Sequence, residues 1–353
     1  MGLGIVIAVG GTPDTELSDA VSVEVFESMS EMTTFRIRYD LAIQEGDFPA
    51  LVDARLDPGS EVAVIAPLND KNNYLVKGPV TAQQIHFVHG GGGSYVEVSG
   101  ADTSIAMDRE TKSTVWTDLT DSDAVSTIFG QYGYTPDVDA TQAGHFETKH
   151  TLVQRESDLS FVRRLARRNG FLFWITCDEN GIETAHFKRP ELEGEPAGNI
   201  DINLDSNNIA ALDLEWDVER PTSAVAAQVD LSDKSAIDGG VEQSPLTPLG
   251  AQPLSAIATG TRSIHVLMPV DDSGDLTARG EAALIDSGWF IRATCQTSVN
   301  AMSAIIRANS LVNLRGVGTR HSGKYYVKSV RHTIDPSAHN MEIELIRNAW
   351  GNP

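Results

Sequence analysis

Gln154-Arg155-Glu156-Ser157-Asp158-Leu159-Ser160-Phe161-Val162-Arg163-Arg164-Leu165-Ala166, closed by Asn169-Gly170-Phe171-Leu172-Phe173-Trp174, reads as a short capped helix that stops on a glycine and runs into an aromatic strand. Ser157 suits the N-cap, and Asp158 puts a negative charge in the first turn, where the helix dipole favours it. Leu159, Val162, Leu165 and Ala166 recur at helical spacing as an apolar stripe. Gly170 is the natural stop, since glycine adopts the left-handed conformation that ends a helix. Phe171 to Cys177 then predicts a strand, and Asp178-Glu179-Asn180-Gly181 a turn into a second strand over Ile182 to Lys188.

Both flanks are β-rich. Val21, Val23 and Val25 alternate with polar residues, as do Phe35, Ile37, Tyr39 and Leu41; a period of two predicts strands with one buried face. Leu3 to Val9 predicts a first strand, and it lacks the preceding positive charge and cleavage site of a signal peptide. Val62 to Ala66 predicts another strand, and Gln84 to His89 with Tyr95 to Ser99 a hairpin around Gly90-Gly91-Gly92-Gly93. Composition shifts at Thr117, and Ser122 to Tyr132 predicts a helix. Beyond the middle, Val225, Ala227, Val229 and Leu231 alternate as the apolar face of a strand. Ser232 to Gly260 has little periodicity and reads as a long exposed loop. A helix is expected over Leu276 to Ser287, and strands over Trp289 to Cys295, Tyr325 to His332 and Met341 to Arg347.

With 353 residues the chain has room for two or three domains, each with its own core. Its 41% hydrophobic and 22% charged residues are ordinary for a globular protein. No run approaches the roughly 18 apolar residues of a membrane span. Cys177 and Cys295 are the only cysteines, which excludes a disulfide framework and fits a reducing compartment. A formal charge of -22, from 49 acidic against 27 basic residues, repels phosphate backbones and anionic lipid, so stable nucleic-acid binding and membrane docking are not expected.

Near the C-terminus stand Leu311-Val312-Asn313-Leu314-Arg315-Gly316-Val317-Gly318, then Ser322-Gly323-Lys324-Tyr325-Tyr326-Val327, then Ser329-Val330-Arg331-His332-Thr333-Ile334, and a last strand closing on Arg347-Asn348. Together with the capped helix and its hairpin, this order resembles the phage late control protein D family, tail hub proteins related to the hub part of type VI secretion VgrG spikes. The resemblance implies a mainly β fold with an α+β insert: a first tube-like β-barrel over 1–112, a mixed middle region over 113–205 and a second barrel over 206–353. It implies a homotrimer that joins a hexameric inner tube to a trimeric spike at the centre of a baseplate, in a phage tail, tailocin or phage-like secretion particle. The chain would be made and assembled in the cytoplasm. VgrG proteins continue into a spike, whereas this chain stops at Trp350-Gly351-Asn352-Pro353, so the spike is expected to be a separate chain.

Other motifs are weaker than their bland readings. Gly318-Thr319-Arg320-His321-Ser322-Gly323-Lys324 has the spacing of a phosphate-binding loop, but Tyr325 stands where Ser or Thr should bind magnesium, and a strand follows where a helix is needed. Asp272-Ser273-Gly274 lacks the nucleophile elbow and has no marked His or Asp partner. His86 and His89, three apart on an expected strand, point to opposite faces, and no zinc-type spacing occurs. No enzyme activity, cofactor or metal is therefore expected. The alternatives are a tail-associated cell-wall hydrolase and a carbohydrate-binding β-module. Arg163, Arg164, Arg167 and Arg168 form the clearest positive patch, read either as a solvated helix face with internal salt bridges or as a docking surface for an acidic neighbour.

Overall fold

The structure, a computed structural model, describes residues 4–43, 46–90, 92–148, 151–229, 234–260, 262–266 and 273–352. Alternating stretches of the N-terminal flank fold as strands. Ser22–Ser28, Thr34–Asp40 and Tyr95–Ala101 pair antiparallel in that order, and Val23, Val25, Phe35, Ile37, Val96 and Val98 all turn to one buried face. Lys71–His86 and Glu61–Leu68 extend the sheet to Val6–Val9 and the short Thr12–Asp14.

The C-terminal strands join this sheet rather than forming their own. Gly323–Ile334 pairs with Ser22–Ser28 on one side and with His339–Arg347 on the other. Ile291–Ser298 and then Leu212–Trp216 complete an order that runs as an open hydrogen-bonded path from Thr12–Asp14 to Leu212–Trp216. In hydrogen-bonding terms the two flanks are thus one large antiparallel sheet, and no pairing among the described residues closes it on itself. Two long strands each serve two neighbours in turn. Lys71–His86 leaves Glu61–Leu68 for Tyr95–Ala101 at a register shift between Val80 and Ala82. Gly323–Ile334 leaves Leu311–Arg315 for Ser22–Ser28 at a shift between Val327 and Ser329. An extra residue sharpens local twist, which lets one strand change partners.

Three large cores lie along the chain. One gathers Ile7, Val23, Ile37, Val64 and Val98 from the N-terminal strands. A second gathers Ile291, Leu314, Tyr325, Val330 and Ile343 from the C-terminal strands. The third sits between, where Asp121–Gln131 and Asp158–Asn169 pack Val125, Ile128, Phe129, Phe161, Val162 and Leu165 against Phe173 and Phe187 of the aromatic hairpin. Each fully buried large apolar side chain contributes about 1.5–3 kcal/mol, so each cluster is a core in its own right. Asn199–Asp201 pairs in parallel with Leu311–Arg315 and so belongs structurally with the C-terminal strands. No helix among the described residues is long and apolar enough to cross a membrane.

Several expectations change. The strand Ser223–Val229 buries Ala224 and Ala226, while Val225 and Val229 are 42% and 52% exposed, the reverse of the expected row. The reason is the helix Ser273–Gly288 on that face: Ala226 packs with Leu276, and Gly280 comes against Ala224, an approach that valines would block. Leu231 and Ser232 lie outside the described residues, as do Gly91 and Asp272. From Lys234 to Gly260 the expected loop is a packed strap: Ala236–Asp238 and Gln252–Pro253 pair with other strands, and Leu246, Leu249 and Leu254 are buried. Isolated anchors hold it, and isolated anchors leave no periodicity to read. The hairpin strand ends at His86, which packs on Tyr95, so His89 is not on it.

Candidate functional surface

The helix Asp158–Asn169 is capped as its sequence requires. Ser157 Oγ accepts from the Ser160 N–H at 3.2 Å, and Gly170, at φ 66°, donates back to the last turn. A Cβ on Gly170 would stand 2.6 Å from Ile285 Cδ1 and 3.1 Å from Ala282 Cα, so this glycine also lets the helix end against Ser273–Gly288.

Its four arginines do not form one patch. Arg168 has a largely buried side chain, 9% exposed, and is ion-paired with Asp121, whose carboxylate also meets His145 Nε2 at 2.8 Å and accepts from Asn169 Nδ2 at 2.7 Å. Arg164 donates to Glu156 at 2.6 Å and to the Val153 carbonyl at 2.9 Å. Arg163 is half-buried, with a nitrogen 3.3 Å from Glu31. Of the four, Arg167 is the exposed one, and its Nε reaches the Arg163 carbonyl at 3.4 Å, with no ion pair among the described residues.

The loop with phosphate-loop spacing is built for the opposite charge. Gly318–His321 makes a single helical turn and Gly323 begins a strand. The carbonyls of His321 and Ser322 accept from Arg347 Nη1 at 3.3 and 3.2 Å, and those of Leu249 and Gly351 accept from its Nη2 at 2.8 and 2.6 Å. A phosphate loop offers N–H groups to an anion; this one offers carbonyls to a buried cation. Gly323, at φ 133°, leaves the room, since a Cβ there would stand 2.6 Å from Arg347 Nη2. Asn348 completes the anchor, accepting from Leu249 N–H at 2.8 Å and donating to the Thr247 carbonyl at 3.1 Å.

One arrangement escapes a reading by motif. Thr176 Oγ1 lies 2.7 Å from His186 Nε2, and His186 Nδ1 lies 2.7 Å from Asp137 Oδ2, in the order of a hydrolytic triad. The three come from different strands of one small sheet, so no sequence spacing marks them. Lys188 also binds Asp137, at 2.9 Å, and burial pushes the His186 imidazole below its usual range against the pull of Asp137. Both cysteine thiols are pushed up to about 12 by burial, which leaves them poor nucleophiles. Among the described residues no group of three metal-ligating side chains is arranged around a metal position.

The most extended feature is the solvent face of the sheet where the two flanks meet. Across seven adjacent strands its charges alternate in sign: Glu215, Arg292, Glu344 with Glu342, Lys328 with Arg331, Glu24, Arg36 and Glu97. Arg292 Nε is 2.7 Å from Glu344 and 3.7 Å across to Glu215 through its Nη1; Lys328 is 2.8 Å from Glu344; Arg331 pairs with Glu24; Arg36 is 2.9 Å from Glu97. Burial raises the Glu344 carboxyl, but the Lys328 hydrogen bond and the charges of Lys328 and Arg292 outweigh it and hold it below the usual range. Cross-strand pairs of this kind contribute about 0.2–1 kcal/mol each. Their main effect is to keep this face locally neutral on an acidic chain. Alternate polar positions such as Arg36, Glu97 and Arg331 are visible in the sequence; that they share one face across both flanks is not.

Residues 3–336 match the family model described as the Alg8 N-terminal domain. The chain belongs to that family. No curated protein matches it. Among solved structures, the 43 kDa tail protein of prophage MuSo2 from Shewanella oneidensis superposes with a TM-score of 0.69 at 14% identity, covering 98% of each chain. A tail protein from Neisseria meningitidis MC58 gives 0.67 at 14% identity, with 99% of each chain covered. An Escherichia coli component of the type VI secretion system gives 0.59 at 13% identity over 98% of this chain and 79% of that one. At these identities the likeness establishes the fold. This member of the Alg8 N-terminal domain family shares the end-to-end architecture of phage tail proteins, and the charge-alternating face lies on the sheet at its centre.

Proposed function

We propose that this chain is the structural, non-enzymatic hub of a contractile injection system, of the type represented by late control protein D and the hub part of VgrG. The observation that carries this reading is the match, over nearly its full length, to tail proteins. Its architecture supports the same reading: two core-bearing β flanks joined side by side, with a mixed region between them. Two β-rich halves per subunit, each with its own core, imitate two subunits of an inner tube. Three copies then present six such halves to a hexameric tube above and a threefold spike below, and closed cyclic symmetry is the usual solution for such a ring. The partners are the inner tube protein, a separate spike chain and other baseplate components. Arg167, with the flanking Arg163 and Arg164, is where the middle helix would meet an acidic neighbour. The test is a reconstruction of particles from a producing strain. Three copies around the axis between tube and spike are expected; one copy or six would refute the reading, as would normal particles after deletion of the gene.

A hydrolase is the second reading, favoured only by Thr176, His186 and Asp137. The backbone N–H groups of Thr176 and His186 belong to strand ladders, where they cannot serve as oxyanion donors. Hydrolysis of a p-nitrophenyl ester or of peptidoglycan by the purified chain, lost in Thr176→Ala, would establish the second reading instead.

A further inference from the structure

The main hydrogen-bonded path of the large sheet has two ends, and they differ; a branch through Leu311–Arg315 ends separately on Asn199–Asp201. At one end Thr12–Asp14 is three residues long and carries Pro13, which has no N–H to offer and blunts the edge. At the other end Leu212–Trp216 contains no proline, and its only strand partner among the described residues is Ile291–Ser298. In that antiparallel pair Asp217 N–H donates to the Phe290 carbonyl at 2.8 Å. The alternation of an antiparallel ladder therefore turns the N–H and C=O groups of Leu212, Leu214 and Trp216 outward. None of these groups has a hydrogen-bond partner among the described residues.

The side chains of this edge are specific. On one face Leu212 and Leu214 lie partly buried against the C-terminal core, and Trp216, 50% exposed, packs edge-on to Trp350 at 5.5 Å. On the other face Asp213 has no ion pair among the described residues, and Glu215 is the outermost charge of the ladder, with its nearest cation, Arg292, 3.7 Å away. Read strand by strand, the ladder alternates in sign up to Glu215 and ends there on an acid. A further strand would continue it by bringing a base.

We propose that the Leu212–Trp216 edge takes up an extended protein segment by strand addition, and that this segment alternates basic with apolar residues. Its basic side chains lie over Asp213 and Glu215, its apolar ones beside Leu212, Leu214 and Trp216, and its backbone pairs with the outward N–H and C=O groups. A second copy of this chain does not supply such a segment from its own open edge, since Thr12–Asp14 holds Pro13 and an acid. The alternating basic strand Thr34–Asp40 is already paired on both sides. The inference stands apart from the hub reading, because it concerns the edge of one folded chain in any oligomeric state.

The probe is the blocked hexapeptide acetyl-Lys-Val-Lys-Val-Lys-Val-amide, titrated into the full chain and followed by tryptophan fluorescence and by amide hydrogen exchange over residues 212–216. Saturable binding is expected, with slowed exchange at Leu212, Leu214 and Trp216. Binding should weaken at least roughly tenfold when alternate peptide amides are N-methylated, when the same residues are rearranged as Lys-Lys-Lys-Val-Val-Val, or in the variant Leu214→Pro. The Leu214 N–H has no ladder partner, so proline breaks no pairing with Ile291–Ser298; it removes the edge donor together with the Leu214 side-chain contact. Should that variant misfold, the N-methylated peptide makes the same test on the unmodified chain. Absence of saturable binding to the folded chain, or binding indifferent to N-methylation, would overturn the proposal. Self-association abolished by Leu214→Pro would assign the edge to a second copy and overturn the basic partner.

Discussion

Arg307 and Glu27 stand 280 residues apart in sequence, and the guanidinium of one donates to the carboxylate of the other inside the seam between the two flanks. Arg307 also donates to the carbonyls of Tyr74 and Leu75 at 2.6 and 3.0 Å, so it grips the N-terminal strands from a C-terminal loop. His332 Nε2 lies 3.3 Å from the same carboxylate. Removing one member of a buried, hydrogen-bonded pair strands the other. Glu27→Ala is expected to cost about 3–5 kcal/mol in denaturant unfolding. Replacing Glu27 and Arg307 together by methionine should cost clearly less than the sum of the single changes. Strict additivity would show that the two do not act through each other.

Acid should loosen the same seam. Burial raises the Glu27 carboxyl, but the charges of Arg307 and His332 outweigh it and hold it below the usual range. His339, whose Nε2 lies 3.0 Å from His332 Nδ1, is pushed down to about 3 by burial and by the neighbouring imidazole. Both folded-state values lie below their unfolded ones, so the unfolded chain binds more protons as pH falls. The His339 contribution is complete above an ordinary histidine value of about 6.5 and is lost progressively toward about pH 3. The Glu27 contribution is lost at lower pH, from the ordinary carboxylate range downward. Melting temperature should fall between pH 6.5 and 4, and it should fall less steeply in His339→Gln. An unchanged slope in that variant would remove His339 from the account.

The arginines of the middle helix should separate by burial. Arg168→Gln leaves Asp121 buried without its cation, and it is expected to destabilise by roughly 3–5 kcal/mol, toward the lower end because Asn169 and His145 remain. Arg167→Gln touches only an exposed position and should stay within about 0.5 kcal/mol. Thermal unfolding of the two variants side by side decides it. Equal effects would mean that the buried pair contributes no more than a solvated charge.

Gly170→Ala combines a left-handed backbone with a close approach to Ile285 and Ala282. A cost of about 1–3 kcal/mol is expected, whereas the same exchange at a position that alanine can adopt stabilises by about 0.4–1 kcal/mol. Trimming Ile285 to alanine in the same chain should recover the steric part and leave the backbone part.

Much of the fold was legible because its signals are local. Ser157, the stripe Leu159–Val162–Leu165 and Gly170 define a helix whatever surrounds it, and the structure places it at Asp158–Asn169. Val23, Val25, Phe35 and Ile37 mark half-buried strands by period alone. The row Val225–Ala227–Val229 misleads because both faces of that strand are apolar, and only the approach of the helix Ser273–Gly288 selects the alanines. Strap residues Leu246 and Leu249 are anchors without a period.

By itself the sequence determined the type and order of most long elements, the capped middle helix, the acidic balance and the absence of any complete nucleotide-binding motif. Only the tertiary structure decided that Gly323–Ile334 pairs with Ser22–Ser28 and makes one sheet of two flanks. It alone decided that Arg168 is buried while Arg167 is not, that Thr176, His186 and Asp137 meet, and that charges from seven strands alternate along one face. The physical reason is range. Helix caps, turns and alternating faces are set by interactions within a few residues. Strand pairing between distant segments is set by which buried faces and backbone edges meet, and no local spacing records that.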